Sequence, residues 1–315
     1  MPEVFLNGEF VDRADARVSA FDAGMQHGVG LFETMQAGEG GVLHLHEHVD
    51  RLVASARALG LSDSLRARAL EEAVRRTVDR AREHAPGRLR VRLTITGGDL
   101  NLLERGRGSG QDPTVLIAAA PATRYPAEMF ERGVGVVVAD LRVNPLDPLA
   151  GHKTLNYWGR LRELQSAAGK RAGEALVFQV TNHLAGGCVS NVILVKAGTL
   201  VTPIAHGEEE EVARDRAEAP GRAGGAVMPS PVLPGIVRRW AMDWARAAGL
   251  DVQRRMVRIE DVLAADEIML TNSSWGVLPV VKVEAEAIGD SVVGPITRKL
   301  CAAWGQLAGA RARQG

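Results

Sequence analysis

The sequence predicts an α+β protein of two domains, a small amino-terminal α/β domain over residues 1–120 and a larger one over residues 131–315. Three observations point there. A length of 315 residues is enough for two domains of ordinary size. Leu89–Thr96 alternates as Leu-Arg-Val-Arg-Leu-Thr-Ile-Thr, the pattern of a half-buried strand, whereas Val49, Leu52, Val53, Ala56 and Leu59 recur at helical spacing. Between a buried strand at 114–120 and a new one at 134–140, the stretch 121–130 begins with prolines at 121 and 126 and reads as a linker.

Composition sets the class of partner before any motif is read. Hydrophobic content of 46% and charged content of 24% are those of an ordinary globular protein. The formal net charge of zero gives no argument for nucleic acid or an anionic membrane as partner. The amino terminus lacks a basic region followed by an apolar core, and no apolar run approaches the ~18 residues of a membrane span. Cys188 and Cys301 form no C-x-x-C pair and suggest no disulfide framework, so the cytoplasm is the expected compartment.

Along the first domain, residues 4–7 and 17–20 read as short strands around an Asn7-Gly8 turn. Gly24, Gly28 and Gly30 fit neither G-x-G-x-x-G nor the P-loop, and read as close backbone packing before a strand. Glu33, inside that apolar strand, reads as a paired structural carboxylate rather than a catalyst. His44, His46 and His48 tempt a metal reading, but the segment turns from strand-like to helix-like within them and holds no H-E-x-x-H, so no metal is expected. Arg51 lies off the apolar stripe that ends at Gly60, as either a surface charge or an anion clamp. A second helix over about 63–84, rich in Arg and Glu, reads as a solvated face. Arg90 and Arg92 share one face of their strand; a cleft lined by them suits a carboxylate substrate, and a plain polar sheet face is an equal reading. Residues 97–110 form a glycine-rich loop.

The second domain reaches Lys153 through an apolar Pro-Leu-Ala-Gly approach at 148–151. Leu155, Trp158, Leu161, Leu164 and Ala168 then recur at helical spacing, which puts Lys153 just before a helix that packs by its apolar face. Partial desolvation of such a lysine lowers its pKa and yields the neutral amine that a Schiff base needs; a solvated surface lysine is the plain alternative. Strands at 175–180 and 192–196 flank a loop, and a hairpin turn follows at Lys196-Ala-Gly-Thr-Leu. Residues 207–225 show no periodicity and read as a mobile insertion. Leu233-Pro-Gly-Ile-Val starts a helix whose amino terminus is a ready anion site. A strand at 267–271 leads into the polar loop Asn272-Ser-Ser-Trp-Gly. Two phosphate-competent segments and one lysine are the parts of a site for a phosphorylated aldehyde.

Seven stretches in order resemble the fold-type IV pyridoxal-phosphate enzymes, the group of branched-chain aminotransferases, D-amino-acid aminotransferases and 4-amino-4-deoxychorismate lyases. They are His27-Gly-Val-Gly-Leu-Phe-Glu-Thr, His48-Val-Asp-Arg-Leu, Lys153-Thr-Leu-Asn-Tyr, Ser190-Asn-Val-Ile-Leu-Val, Thr202-Pro, Leu233-Pro-Gly-Ile-Val-Arg, and Thr271-Asn-Ser-Ser through Pro279-Val. The resemblance implies that Lys153 forms the Schiff base with pyridoxal 5'-phosphate and shuttles the α-proton of an amino-acid or keto-acid substrate. It implies that Arg51 holds the cofactor phosphate with the backbone of Ile236 and Val237 and the hydroxyls of Ser273 or Ser274, and that Tyr157 bonds the phenolic oxygen. His27, Glu33 and Arg92 are the candidates for substrate contact. The fold implied is a small and a larger domain with the cofactor between them, usually in a homodimer.

One departure bears on the reaction. The family's acid at the pyridine nitrogen stands five residues before the conserved Asn, which here is Gly186 ahead of Asn191, with no carboxylate nearby in the loop. Without that acid the ring is a weaker electron sink and full amino transfer is disfavoured. An aminotransferase, a lyase eliminating pyruvate, and a divergent non-catalytic member all follow as readings. On this alignment Gly186→Glu is expected to increase amino transfer.

Overall fold

A computed structural model of the chain describes residues 3–99, 113–217 and 228–310. These divide into two compact units. Unit 1 comprises Met1–Arg124, Lys153–Asn156 and Leu307–Gly315; unit 2 comprises Tyr125–His152 and Tyr157–Gln306. The lysine segment therefore groups with the first unit, not with the larger one as its place in the sequence suggested.

Unit 1 runs β1 (Glu3–Leu6), β2 (Glu9–Asp12), α1 (Ala23–His27), β3 (Gly30–Gly38), β4 (Gly41–Val42), α2 (Leu45–Ala58), α3 (Ala67–Arg82), β5 (Leu89–Thr96) and β6 (Val115–Pro121). The sheet order is β2-β1-β6-β5-β3-β4, antiparallel throughout. Asn7 and Gly8 both take positive φ, 49° and 99°, as the tight turn between β1 and β2 requires. Residues 17–20 are not a strand, because β1 pairs with β2 on one side and β6 on the other. α1 starts on Asp22, whose Oδ1 accepts the Gly24 N–H at 2.7 Å. α3 is less solvated than its charge suggests: Leu70, Ala73, Val74, Thr77, Val78 and Ala81 are buried at helical spacing between its arginines and glutamates. With Leu52 of α2 and Met35, Leu93, Ile95 and Ile117 of the sheet, the apolar ones among them form one core.

Unit 2 contains α4 (Glu128–Glu131), β7 (Val134–Val143), α5 (Trp158–Gly169), β8 (Glu174–Gln179), β9 (Leu184–Gly187), β10 (Asn191–Lys196), β11 (Thr199–Pro203), α6 (Glu209–Ala217), α7 (Ile236–Ala247), β12 (Val252–Arg255), α8 (Ile259–Leu263), β13 (Glu267–Asn272), β14 (Gly276–Val283), β15 (Glu286–Ala287) and α9 (Pro295–Ala310), the last crossing into unit 1. The order is β12-β11-β10-β13-β14-β7-β8-β9, with β15 on β14, and the pairs β11–β12, β14–β7 and β7–β8 are parallel.

Four expectations change here. The 121–130 stretch is partly regular, since β6 runs to Pro121 and α4 begins at Glu128. The loop expected after β8 contains β9, a four-residue strand whose glycines hide its alternation. The apolar stripe of α5 is largely outside: Trp158 is 79% exposed and Leu161 is exposed, while Glu163 and Ala167 are the buried residues. The Glu163 carboxylate is buried because it accepts the Asp140 N–H at 3.0 Å. Residues 209–217 of the supposed mobile insertion are a helix tied down by charge. Glu208, just ahead of it, grips the buried Arg238 of α7 through both oxygens at 2.8 and 2.9 Å, and Glu211 takes Arg254 in the same bidentate way. Residues 218–225, like residues 100–110 of the glycine-rich stretch, lie outside the described residues.

Candidate active site

Within unit 1, Lys153 is placed by backbone pairing. Residues 153–155 lie antiparallel along the start of β3, with the Phe32 N–H on the Lys153 carbonyl at 2.9 Å and the Leu155 N–H on the Gly30 carbonyl at 3.0 Å. The glycines nearby make room for this. A Cβ on Gly30 would meet the Ile95 carbonyl at 2.6 Å and the Leu155 side chain at 2.7 Å, and one on Gly28 would meet Asn156 Oδ1 at 2.7 Å. Gly28 also has φ 69° at the end of α1.

The Lys153 ammonium lies 4.4 Å from the centre of the Phe32 ring, and the Arg92 guanidinium carbon lies 3.4 Å from the same centre. Phe32 is buried, so one aromatic face system carries both cations, each contact worth about 0.5–2 kcal/mol. Arg92 Nε also donates to Thr94 Oγ1 at 3.3 Å. β3 pairs Phe32 with Thr94 and Thr34 with Arg92, so Arg92 is the diagonal cross-strand neighbour of Phe32. Arg92 thereby shares its surroundings with the lysine. His27 is exposed in the last turn of α1.

Glu33, expected among the substrate contacts, is 1% exposed and both its oxygens are engaged. Arg51 Nε donates to Oε1 at 2.8 Å and Arg51 Nη2 to Oε2 at 2.6 Å, and His48 Nδ1–H donates to Oε2 at 2.7 Å. Both oxygens are thus paired with Arg51 and His48, the arrangement of a structural carboxylate. Burial alone would raise its pKa, but the Arg51 charge and His48 more than offset this and hold it at about 2. Burial depresses the His48 pKa against the pull of Glu33. The three histidines weighed for a metal face separate carboxylates: His44 meets Glu47, His46 meets Asp50 and Glu71, and His48 meets Glu33.

Unit 2 contains the segments expected to bind an anion. α7 begins at Ile236 after Gly235 with no side-chain cap, so the first N–H groups, those of Ile236 and Val237, point out of the helix start. Gly235 is needed there, because a Cβ would collide with Asn191 Oδ1. Ser273 and Ser274 are half-buried on the turn after β13. Asn272 Oδ1 accepts the N–H groups of Ser274 and Trp275 at 2.9 and 3.0 Å, so this turn offers a ligand hydroxyls rather than those two amides. Beside it, the buried Thr271 Oγ1 and Trp275 Nε1 have no hydrogen-bond partner among the described residues. A bound phosphorylated ligand would give such atoms partners, and on this ground the residues fit the cofactor expected. Tyr157 stands half-buried at the amino end of α5.

Gly186 lies on β9 with φ +147°, and a Cβ there would approach the Ser190 carbonyl oxygen to 2.9 Å. The glycine is thus fitted to its backbone, and restoring a carboxylate is not a matter of adding a side chain. Gly186→Ala is expected to lower stability by roughly 1–3 kcal/mol, read as a fall in Tm, and Gly186→Glu to carry the same penalty rather than gain amino transfer. A carboxylate does reach this loop, though from the strand before it. It is Glu174, buried and bonded to the 187–190 turn, with its pKa raised by burial against the pull of its donors.

Sequence reasoning missed Phe32, Glu174, Asn272 and the His48–Glu33 bond. His48 and Arg51, three apart on one helix face, were the available signal for the last. Phe32 could be found only through the β3–β5 register.

Residues 30–283 match the model of the family described as amino-transferase class IV. The chain is 30% identical over 298 residues to a protein of Methanocaldococcus jannaschii named "Putative branched-chain-amino-acid aminotransferase", covering 95% of this chain and 93% of the other. Its fold is similar to that of the branched-chain amino acid aminotransferase of T.th., solved with pyridoxamine 5'-phosphate, at TM-score 0.82 and 22% identity over 98% of this chain and 94% of that one. It is also similar to 4-amino-4-deoxychorismate lyase from Pseudomonas aeruginosa, at TM-score 0.76 and 24% identity over 96% and 98%.

Proposed function

This chain belongs to the class IV amino-transferase family, enzymes that depend on pyridoxal 5'-phosphate, and we propose that it moves the amino group between a small amino acid and a keto acid. The observation that carries this is the pairing of Lys153 and Arg92 on Phe32. An α-amino acid has its carboxylate one bond from the carbon that reacts, and an amine with a carboxylate-binding guanidinium on one ring suits that spacing. The bound cofactor supplies an aldehyde for the amino group and a ring that draws electrons from the α-carbon. Lys153 would hold that aldehyde, and its amine would carry the α-proton. Arg92 orients the substrate carboxylate. Within unit 2 the α7 start and the hydroxyls of Ser273 and Ser274 would hold the phosphate; within unit 1 Arg51, which Glu33 keeps in place, would serve as a phosphate clamp. Tyr157 would bond the phenolic oxygen. A homodimer belongs to the same reading, supported by the exposed Trp158 and Leu161 of α5. Among the described residues no helix is long and apolar enough to cross a membrane.

One observation favours a second reading, a lyase that releases pyruvate. Glycine at 186, the position that the resemblance assigns to the acid at the ring nitrogen, implies a weaker electron sink, and an elimination that ends without amino transfer tolerates one. Paired assays decide between them: amino transfer from an amino-acid panel to 2-oxoglutarate, and pyruvate release from 4-amino-4-deoxychorismate. Transfer without release supports the first reading, and release without transfer the second. For whichever substrate turns over, Arg92→Ala is expected to raise KM by about 10–100-fold with a smaller change in kcat, since a charged hydrogen bond is worth about 1.5–3 kcal/mol. An unchanged KM would remove Arg92 from the substrate site.

A further inference from the structure

In unit 2 a single buried carboxylate lies under the turn that ties both anion-binding segments together. Glu174 opens β8 and is fully buried. Its Oε1 accepts the N–H groups of Ala175 at 3.1 Å and Cys188 at 3.2 Å; its Oε2 accepts the Val189 N–H at 3.2 Å and the Ser190 hydroxyl at 3.1 Å. The turn is closed by the Gly187 N–H on the Ser190 carbonyl at 2.9 Å, and Arg160 caps the Gly187 carbonyl at 3.1 Å. A Cβ on Gly187 would press on Ser190 and Glu174, so the turn is built around this carboxylate.

From the turn, order passes in two directions. Asn191, the next residue, donates Nδ2–H to the Leu233 carbonyl at 2.9 Å and seats Gly235 against its Oδ1, which places the start of α7. Asn272 donates Nδ2–H to the Val189 carbonyl at 3.2 Å and, through Oδ1, shapes the turn that carries Ser273 and Ser274. Segments far apart in sequence thus take their mutual placement from one turn, and a phosphate that accepts bonds from both demands placement to within about 0.5 Å.

We propose that Glu174 is a positioning residue for the cofactor phosphate, acting through the 187–190 turn, Asn191 and Asn272 on both segments that hold it. The proposal rests on the reading that those segments bind the phosphate of pyridoxal 5'-phosphate. It predicts an effect on the phosphate half of the affinity alone.

The test compares equilibrium binding of pyridoxal 5'-phosphate with that of pyridoxal, which lacks the phosphate, in wild type, Glu174→Gln and Ser190→Ala. Glutamine presents an NH2 to a turn that offers only donors there. The Kd for pyridoxal 5'-phosphate is expected to rise about 10–100-fold, while that for pyridoxal changes less than about 3-fold. Ser190→Ala removes one of four donors and is expected to narrow the preference by about 3-fold. A folded Glu174→Gln that weakens both ligands equally, or neither, overturns the proposal. If that variant does not fold, Ser190→Ala with the wild-type preference overturns it. A wild type without any preference for the phosphorylated ligand removes the cofactor reading, and this inference with it.

Discussion

Lys153→Ala is expected to bind pyridoxal 5'-phosphate without the visible band that borohydride bleaches in the wild type, and to turn over at least about 10³-fold more slowly. The fold should survive, because the contacts that place residue 153 are made by its backbone: its carbonyl takes the Phe32 N–H, and Leu155 pairs with Gly30. What is lost is the amine beside Phe32 and its contact with the ring. Absorbance before and after borohydride, with kcat on the substrate found by the panels, makes the measurement. A variant that keeps the band would show that another amine holds the aldehyde.

The second large effect is one of stability. Glu33→Ala leaves Arg51 and His48 facing a space that no longer carries a charge, with His48 buried and Arg51 nearly so. Breaking a buried pair from one side typically costs about 3–5 kcal/mol, a fall in Tm on the order of 10 °C for a chain of this size. The pH dependence has a definite sign. Glu33 titrates near its ordinary value of 4.5 when unfolded but at about 2 in the folded protein, so the unfolded chain binds the extra proton first. Its contribution is fully present above pH about 4.5 and is lost as pH falls through 2. The stability gap between wild type and Glu33→Gln, followed by denaturant melts, should therefore close toward low pH. A gap that stayed constant would mean that the Glu33 charge is not what Arg51 and His48 answer to.

The residues that revealed themselves in the sequence were those whose periodicity or identity carried the signal. β5 and α2 followed from alternation and helical stripes, and the start of α7 at Ile236 from its Pro-Gly approach. What stayed hidden depends on register. Phe32 meets Arg92 only because β3 and β5 pair Thr34 with Arg92, and no spacing along the chain states that. Glu174 is silent for the same reason, being one acid at the head of an apolar strand that reaches a turn fourteen residues later. α6 leaves no mark in the sequence pattern because its order comes from Glu208–Arg238 and Glu211–Arg254, which are long-range charge pairs rather than an apolar stripe. The α5 stripe failed in the opposite sense, since helical spacing shows which residues share a face but not whether anything in the same chain covers it.

The return of residues 153–156 to β3 means that the first unit is not a contiguous piece of gene. A fragment ending at Arg124 would leave the backbone N–H and C=O groups of residues 30–32 as a bare sheet edge, the kind of surface that recruits any extended peptide, including another copy of itself. Such a truncation is expected to clump, and a synthetic peptide spanning residues 150–157 to dissolve the clumps by filling the edge. Turned around, any duplication or permutation of this gene that separates residues 1–124 from that short segment gives up the amine and the sheet edge in the same cut.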